Sequence, residues 1–119
     1  AVAATGFSPA VRAGDFLYLT GATGAGDDGV MPPTAKAQTQ NAISKALTVL
    51  AETGAGPDAI VEMTSYHTDI SGSFDDVQSV LTTLLGTPLP AWTAVEVAKL
   101  RRDGAAIELR IVAYHPVAQ

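Results

Sequence analysis

The sequence predicts an α+β fold: a single domain over residues 1–119 with a mixed β-sheet and two helices packed on one face. Three observations carry this. Strand-like and helix-like segments alternate and end on two strand-like runs in succession, two stretches repeat apolar residues at helical spacing, and no repeat, charge block or low-complexity linker divides the chain. A length of 119 residues leaves room for one core and not for two.

Phe16 to Gly21 (FLYLTG), bounded by Gly14-Asp15 and by the loop Gly24 to Gly29, reads as a strand followed by a flexible connection. Pro32-Pro33-Thr34 opens the first helix with Thr34 as N-cap, and Ile43, Ala46, Leu47 and Leu50 form its apolar stripe, which ends before Gly54. After a Gly-Pro-Asp turn, Ile60 to Asp69 (IVEMTSYHTD) is β-branched and aromatic, hence a strand. The second helix is expected to begin near Ser73, with Asp76 completing a capping-box pattern and Phe74, Val77, Leu81 and Leu84 repeating until Gly86 and Pro88. Ala91 to Ala98 and Ala106 to Tyr114 read as a hairpin joined through Asp103-Gly104. Alternation places Trp92, Ala94, Glu96 and Ala98 on one face of the first run and Glu108, Arg110, Val112 and Tyr114 on one face of the second; the register leaves open whether those faces coincide.

Composition narrows the function. The chain has no cysteine, which excludes a disulfide framework, a thiolate nucleophile and a Cys-built zinc site; its two histidines, His67 and His115, are too far apart for a metal motif. No apolar run nears the ~20 residues of a membrane span, and the Ala-rich start lacks the basic flank and apolar stretch of a signal peptide, so a soluble cytoplasmic protein without membrane partners is expected. Seven basic against twelve acidic residues, net charge -5, make nucleic acid an unsuitable partner. Charged residues are 16% of the chain, against about 25% in ordinary domains. With only two helices to cover a sheet, the uncovered face points to other copies of the chain.

No GxSxG, P-loop or HExxH is present, and GATGAGDDG at Gly21 to Gly29 lacks the spacing of a dinucleotide fingerprint. His67 inside a strand reads as a satisfied structural histidine, and His115 as exposed. Glu96, Glu108 and Arg110 stand out, because charges in apolar strands must be paired or line a wet site; the plainer expectation is a solvated face with Glu96 paired to Arg110 or Lys99.

Phe7-Ser8-Pro9-Ala10-Val11 followed by FLYLTGATG, then TSYHTDI at Thr64 to Ile70, Pro90-Ala91 with TAVEVA beyond one odd residue, and Ile107-Glu108-Leu109 closely resemble the reactive intermediate deaminase (Rid, YjgF-like) family, in order and over almost the whole chain. The resemblance implies a chorismate-mutase-like fold assembled as a homotrimer, with a small-molecule site in each cleft between subunits. It also implies hydrolysis of enamine or imine intermediates such as 2-aminoacrylate, without metal or cofactor. Carried over by position, Glu108 is the acidic residue that holds or activates water, and Thr20 and Gly21 line the pocket, as does Ala94 beyond the odd residue.

Two positions depart from that pattern. Trp92 stands where the deaminating members have an arginine that clamps the substrate carboxylate, and Phe7 stands where they have a tyrosine. Loss of a hydrogen-bonded charge partner costs ~2–5 kcal/mol of binding. Three accounts of Trp92 follow: a core aromatic in a pocket that has lost function, the floor of a pocket remodelled for a larger and less acidic substrate, or a position relieved by Arg110, which supplies the cation from another direction. The expected function is enamine or imine hydrolysis or tautomerisation in a remodelled pocket built by Phe7, Thr20, Gly21, Trp92, Ala94, Glu108 and Arg110. The alternative is a non-catalytic ligand-binding or protein-interaction trimer. A ribonuclease or translation-inhibitor role, known from the family's naming, is opposed by the acidic charge.

Overall fold

The computed structural model describes residues 8–117. In chain order these form β1 (Ala10–Ala13), β2 (Phe16–Leu19), β3 (Ala22–Thr23), α1 (Ala35–Glu52), a 3₁₀ turn (Pro57–Ala59), β4 (Ile60–His67), α2 (Ile70–Leu85), β5 (Ala91–Glu96) and β6 (Ile107–Tyr114). The strands make one mixed sheet in the order β1-β2-β6-β4-β5, with β3 also paired to β6. The predicted α+β architecture with two helices is the observed one.

The first helix forms for the reasons expected. Thr34 Oγ1 accepts from the Ala37 N–H at 3.1 Å, and Ala42, Ile43, Ala46 and Leu50 are buried against the sheet. Gln38, fully buried on the same helix, is satisfied three times: its amide nitrogen donates to Pro32 O at 2.8 Å and Gly104 O at 3.1 Å, and its oxygen accepts from Ala106 N at 2.7 Å. It ties α1 to the segments on either side of it in space. Gly24 lies so close beneath that a Cβ there would overlap the Gln38 backbone.

Two expectations are corrected. The second helix starts at Ile70, ahead of Ser73, because Asp69 is its N-cap: its carboxylate accepts from Gly72 N at 3.4 Å. Ser73 is inside the first turn, where its hydroxyl donates to Asp69 O. The stripe accordingly shifts, with Val77, Val80 and Leu81 buried and Leu84 exposed. Nor do the last two strands pair as a hairpin. β4 lies between them, parallel to β5 and antiparallel to β6. The Asp103-Gly104 turn does form, with Ala105 N donating to Arg102 O and Gly104 at φ 80°. It turns the chain inside a longer connection, residues 97–106, that carries it past the end of β4.

Pairing also settles the faces. Leu17, Leu19, Met63, Ser65, His67, Ile107, Leu109 and Ile111 alternate onto the helix-covered face and are buried. The opposite face carries Phe16, Tyr18 and Tyr114, which remain 38%, 41% and 45% exposed. The Phe16 and Tyr114 rings meet edge-on at 5.3 Å.

Candidate functional site

Glu108 projects from β6 on the helix-free face, opposite Tyr66 of β4 and Thr23 of β3. At the bend between β2 and β3 the chain is bare backbone at Gly21, and a Cβ there would meet the Glu108 carboxylate. Glycine is therefore what lets the carboxylate reach the main chain at this bend. Thr20 closes the bend from the other side: its hydroxyl donates to Ser8 O at 2.5 Å and its N–H to Pro9 O at 3.0 Å. Thr20, Gly21 and Glu108 thus form one cluster.

Arg110 shares the face of Glu108, two residues along β6, but its ion pair is with Glu62 at 3.5 Å across β4. Both side chains are about half exposed, so this pair contributes little stability and leaves the guanidinium free to exchange partners. The expected pairing of Glu96 with Arg110 or Lys99 is not what forms. Glu96 caps the second helix instead, its Oε1 accepting from Ile70 N at 3.1 Å, because β5 runs beside β4 and not beside β6.

Trp92 and Ala94 lie elsewhere. They pair in register with Met63 and Ser65 of β4 and so point to the helix-covered face, opposite to Glu108. The indole stacks on Phe74 of α2 at 5.0 Å and 2°, and its N–H donates to Ser65 Oγ at 2.8 Å. Within one chain the predicted residues therefore divide into Thr20, Gly21, Glu108 and Arg110 on one side and Trp92 with Ala94 on the other. Phe7 lies outside the described residues.

Sequence reading missed Lys45. It lines a cavity of about 380 Å³ between α1 and the β2–β3 bend, with Leu19, Thr20, Gly21, Leu109 and Ile111, and donates to Thr23 O at 2.9 Å. Burial first, then the Arg102 charge, hold its amine below the ordinary lysine range, with Asp27 acting in the opposite sense. A lysine beside an apolar helical stripe reads as solvated, and its burial depends on a loop distant in sequence. Among the described residues no cluster of His, Asp or Glu could hold a metal ion.

Known proteins with similar sequences share this arrangement of elements. The family pattern described as Endoribonuclease L-PSP matches residues 1–115. The RutC family protein YjgH of Escherichia coli is 34% identical over 111 residues, covering 92% of this chain and 83% of that protein. Among solved structures, Rv2704 of Mycobacterium tuberculosis, described as a member of the YjgF/YER057c/UK114 family, is 32% identical with a TM-score of 0.82, covering 95% of this chain and 90% of that one. RidA from an Antarctic Psychrobacter is 27% identical with a TM-score of 0.84, covering 91% and 87%. Sequence pattern, identity and fold agree over nearly the full length: the chain belongs to the Endoribonuclease L-PSP (YjgF/Rid) family.

Proposed function

We propose that the chain hydrolyses or tautomerises a reactive enamine or imine at a site completed between copies of itself in a homotrimer, with Glu108 handling the water or the proton. The observation that carries this reading is the Glu108 carboxylate set against the bare backbone of Gly21. In the hydrolytic form, water adds to the carbon of the C=N bond while Glu108 takes its proton. The carbinolamine nitrogen then takes that proton back from Glu108, the C–N bond breaks to release ammonia, and the hydroxyl proton passes to the freed carboxylate as the carbonyl forms. Holding a reactive imine beside an oriented water needs no further cofactor.

Assembly is supported by two features. The helix-free face presents Val11, Phe16, Tyr18 and Tyr114 to solvent, an apolar patch suited to a second copy. The residues carried over from the family also face opposite ways in one chain, so a neighbour whose β5 edge meets the Gly21–Glu108 cluster would complete the set. Tyr18→Glu is expected to convert a sedimenting trimer to monomer; a native chain that is monomeric at micromolar concentration overturns the assembly.

The substrate we propose is larger and less acidic than 2-aminoacrylate. The Trp92 N–H is committed to Ser65 and one ring face to Phe74, which leaves no group for a carboxylate fork. Ammonia release from a panel of imines generated in situ tests this. Trp92→Arg is expected to raise turnover of 2-aminoacrylate ~10-fold or more and to weaken larger substrates; native turnover of 2-aminoacrylate that Arg110→Ala abolishes would assign the clamp to Arg110. The same engagement of Trp92 by Phe74 and Ser65 favours a second reading, a binding trimer without turnover. Failure of every imine on the panel, with ligand binding retained, would establish it. The acidic balance of the chain speaks against RNA.

A further inference from the structure

Behind Trp92 runs a chain of hydrogen bonds whose middle members are shut off from solvent. Trp92 Nε1 donates to Ser65 Oγ at 2.8 Å; Ser65 Oγ meets His67 Nε2 at 2.8 Å; His67 Nδ1 meets Ser73 Oγ at 2.7 Å; Ser73 Oγ donates to Asp69 O at 2.7 Å. Ser65 and His67 are 0% exposed and Ser73 is 4% exposed. The directions follow from the two ends and from the single proton of each hydroxyl, which for Ser65 finds no acceptor other than Nε2 among the described residues. An indole N–H can only donate and a backbone carbonyl can only accept. Ser65 thus accepts from Trp92 and gives its own proton to Nε2, while Ser73 gives its proton to Asp69 O and accepts from Nδ1–H. His67 is accordingly neutral and is the Nδ1–H tautomer, with each side-chain N–H and O–H of the row donated once.

We propose that His67, through Ser65 and Ser73, is a positioning residue that locks the Trp92 indole to the N-terminus of α2, and that protonation of His67 releases the lock. Imidazolium carries N–H on both nitrogens. A proton on Nε2 points at Ser65 Oγ, whose own hydroxyl proton then has no acceptor in a site closed to water, and the order that holds Trp92 fails. The elements around the ring supply little to stabilise the added charge. Ile107 faces it from β6; Glu96, its register partner on β5, is engaged by Ile70 N; Asp69 is engaged as the cap of α2, and Asp75 and Asp76 on that helix are exposed. Burial holds His67 below the ordinary histidine value of 6.5. Since the folded value lies under the unfolded one, the stability contributed by the neutral relay is complete above pH 6.5 and declines as pH falls below it.

The inference is independent of the imine chemistry proposed above, and Trp92, as the single tryptophan, reports on it directly. Nitrogen-15 spectra of the native protein at pH 8 are expected to show a neutral His67 protonated on Nδ1. On acidification, Trp92 emission is expected to change in a single step with its midpoint below pH 6.5 while far-ultraviolet dichroism is retained. His67→Gln, whose side-chain oxygen and amide can replace the two ring nitrogens without titrating, is expected to abolish the step. An Nε2–H tautomer, native emission that stays flat down to the pH at which the dichroism is lost, or an unchanged step in His67→Gln each overturns the proposal. The first two need no variant to fold.

Discussion

Glu108→Gln is expected to lower ammonia release from the best imine substrate about 100-fold or more, the range that positioned acid–base groups contribute, with the fold unchanged. Glutamine keeps the shape of the side chain and loses only the ability to take a proton. The carboxylate lies against Gly21, so Gly21→Ala gives a geometric companion: the carboxylate keeps its chemistry but must move aside for the new methyl group. A partial loss in Gly21→Ala beside a near-complete loss in Glu108→Gln would identify the placement of the carboxylate as well as its charge. Unchanged turnover in Glu108→Gln, measured with a substrate the native protein demonstrably consumes, would move Glu108 to a structural role.

Among the described glycines, Gly24→Ala is expected to cost the most stability. The new Cβ would overlap the Gln38 Cα and carbonyl oxygen, which are main-chain atoms inside a helix and cannot rotate away. Retreat of α1 would also stretch the three Gln38 bonds to Pro32, Gly104 and Ala106. Overpacking costs typically ~1–3 kcal/mol, and a clash with main-chain atoms belongs at the upper end, which lowers a urea midpoint by roughly 1–3 M. An unchanged midpoint would show that α1 is not seated against the Gly24 segment as tightly as the structure places it.

Local chemistry made α1 legible before the fold was known: Thr34 opens it, four apolar residues mark its inner face and Gly54 follows its end. The motifs around Gly21, Pro90-Ala91 and Glu108 likewise exposed the family. What stayed hidden depends on partners far along the chain. The two final strands look like a hairpin because each alternates and an Asp-Gly turn lies between them, whereas β4 is the neighbour of both. The same insertion decides which way Trp92 faces, so its stacking on Phe74 and its bond to Ser65 could not be read from its own strand. His67 showed itself as a satisfied structural histidine, but Ser73 became its partner only once the second helix was seated on β4.

The position of β6 bears on how the protein is made. Three earlier strands, β2, β3 and β4, pair with it, yet it follows all of them in the chain. A nascent chain that has emerged only as far as residue 106 has the β1–β2 ribbon and the segments of β4 and β5 but nothing to join the ribbon to β4, so one edge of β2 and one edge of β4 lack their partner. Sheet closure therefore waits on residues 107–114, and until they are made the facing edges of β2 and β4 are open to strands of other chains.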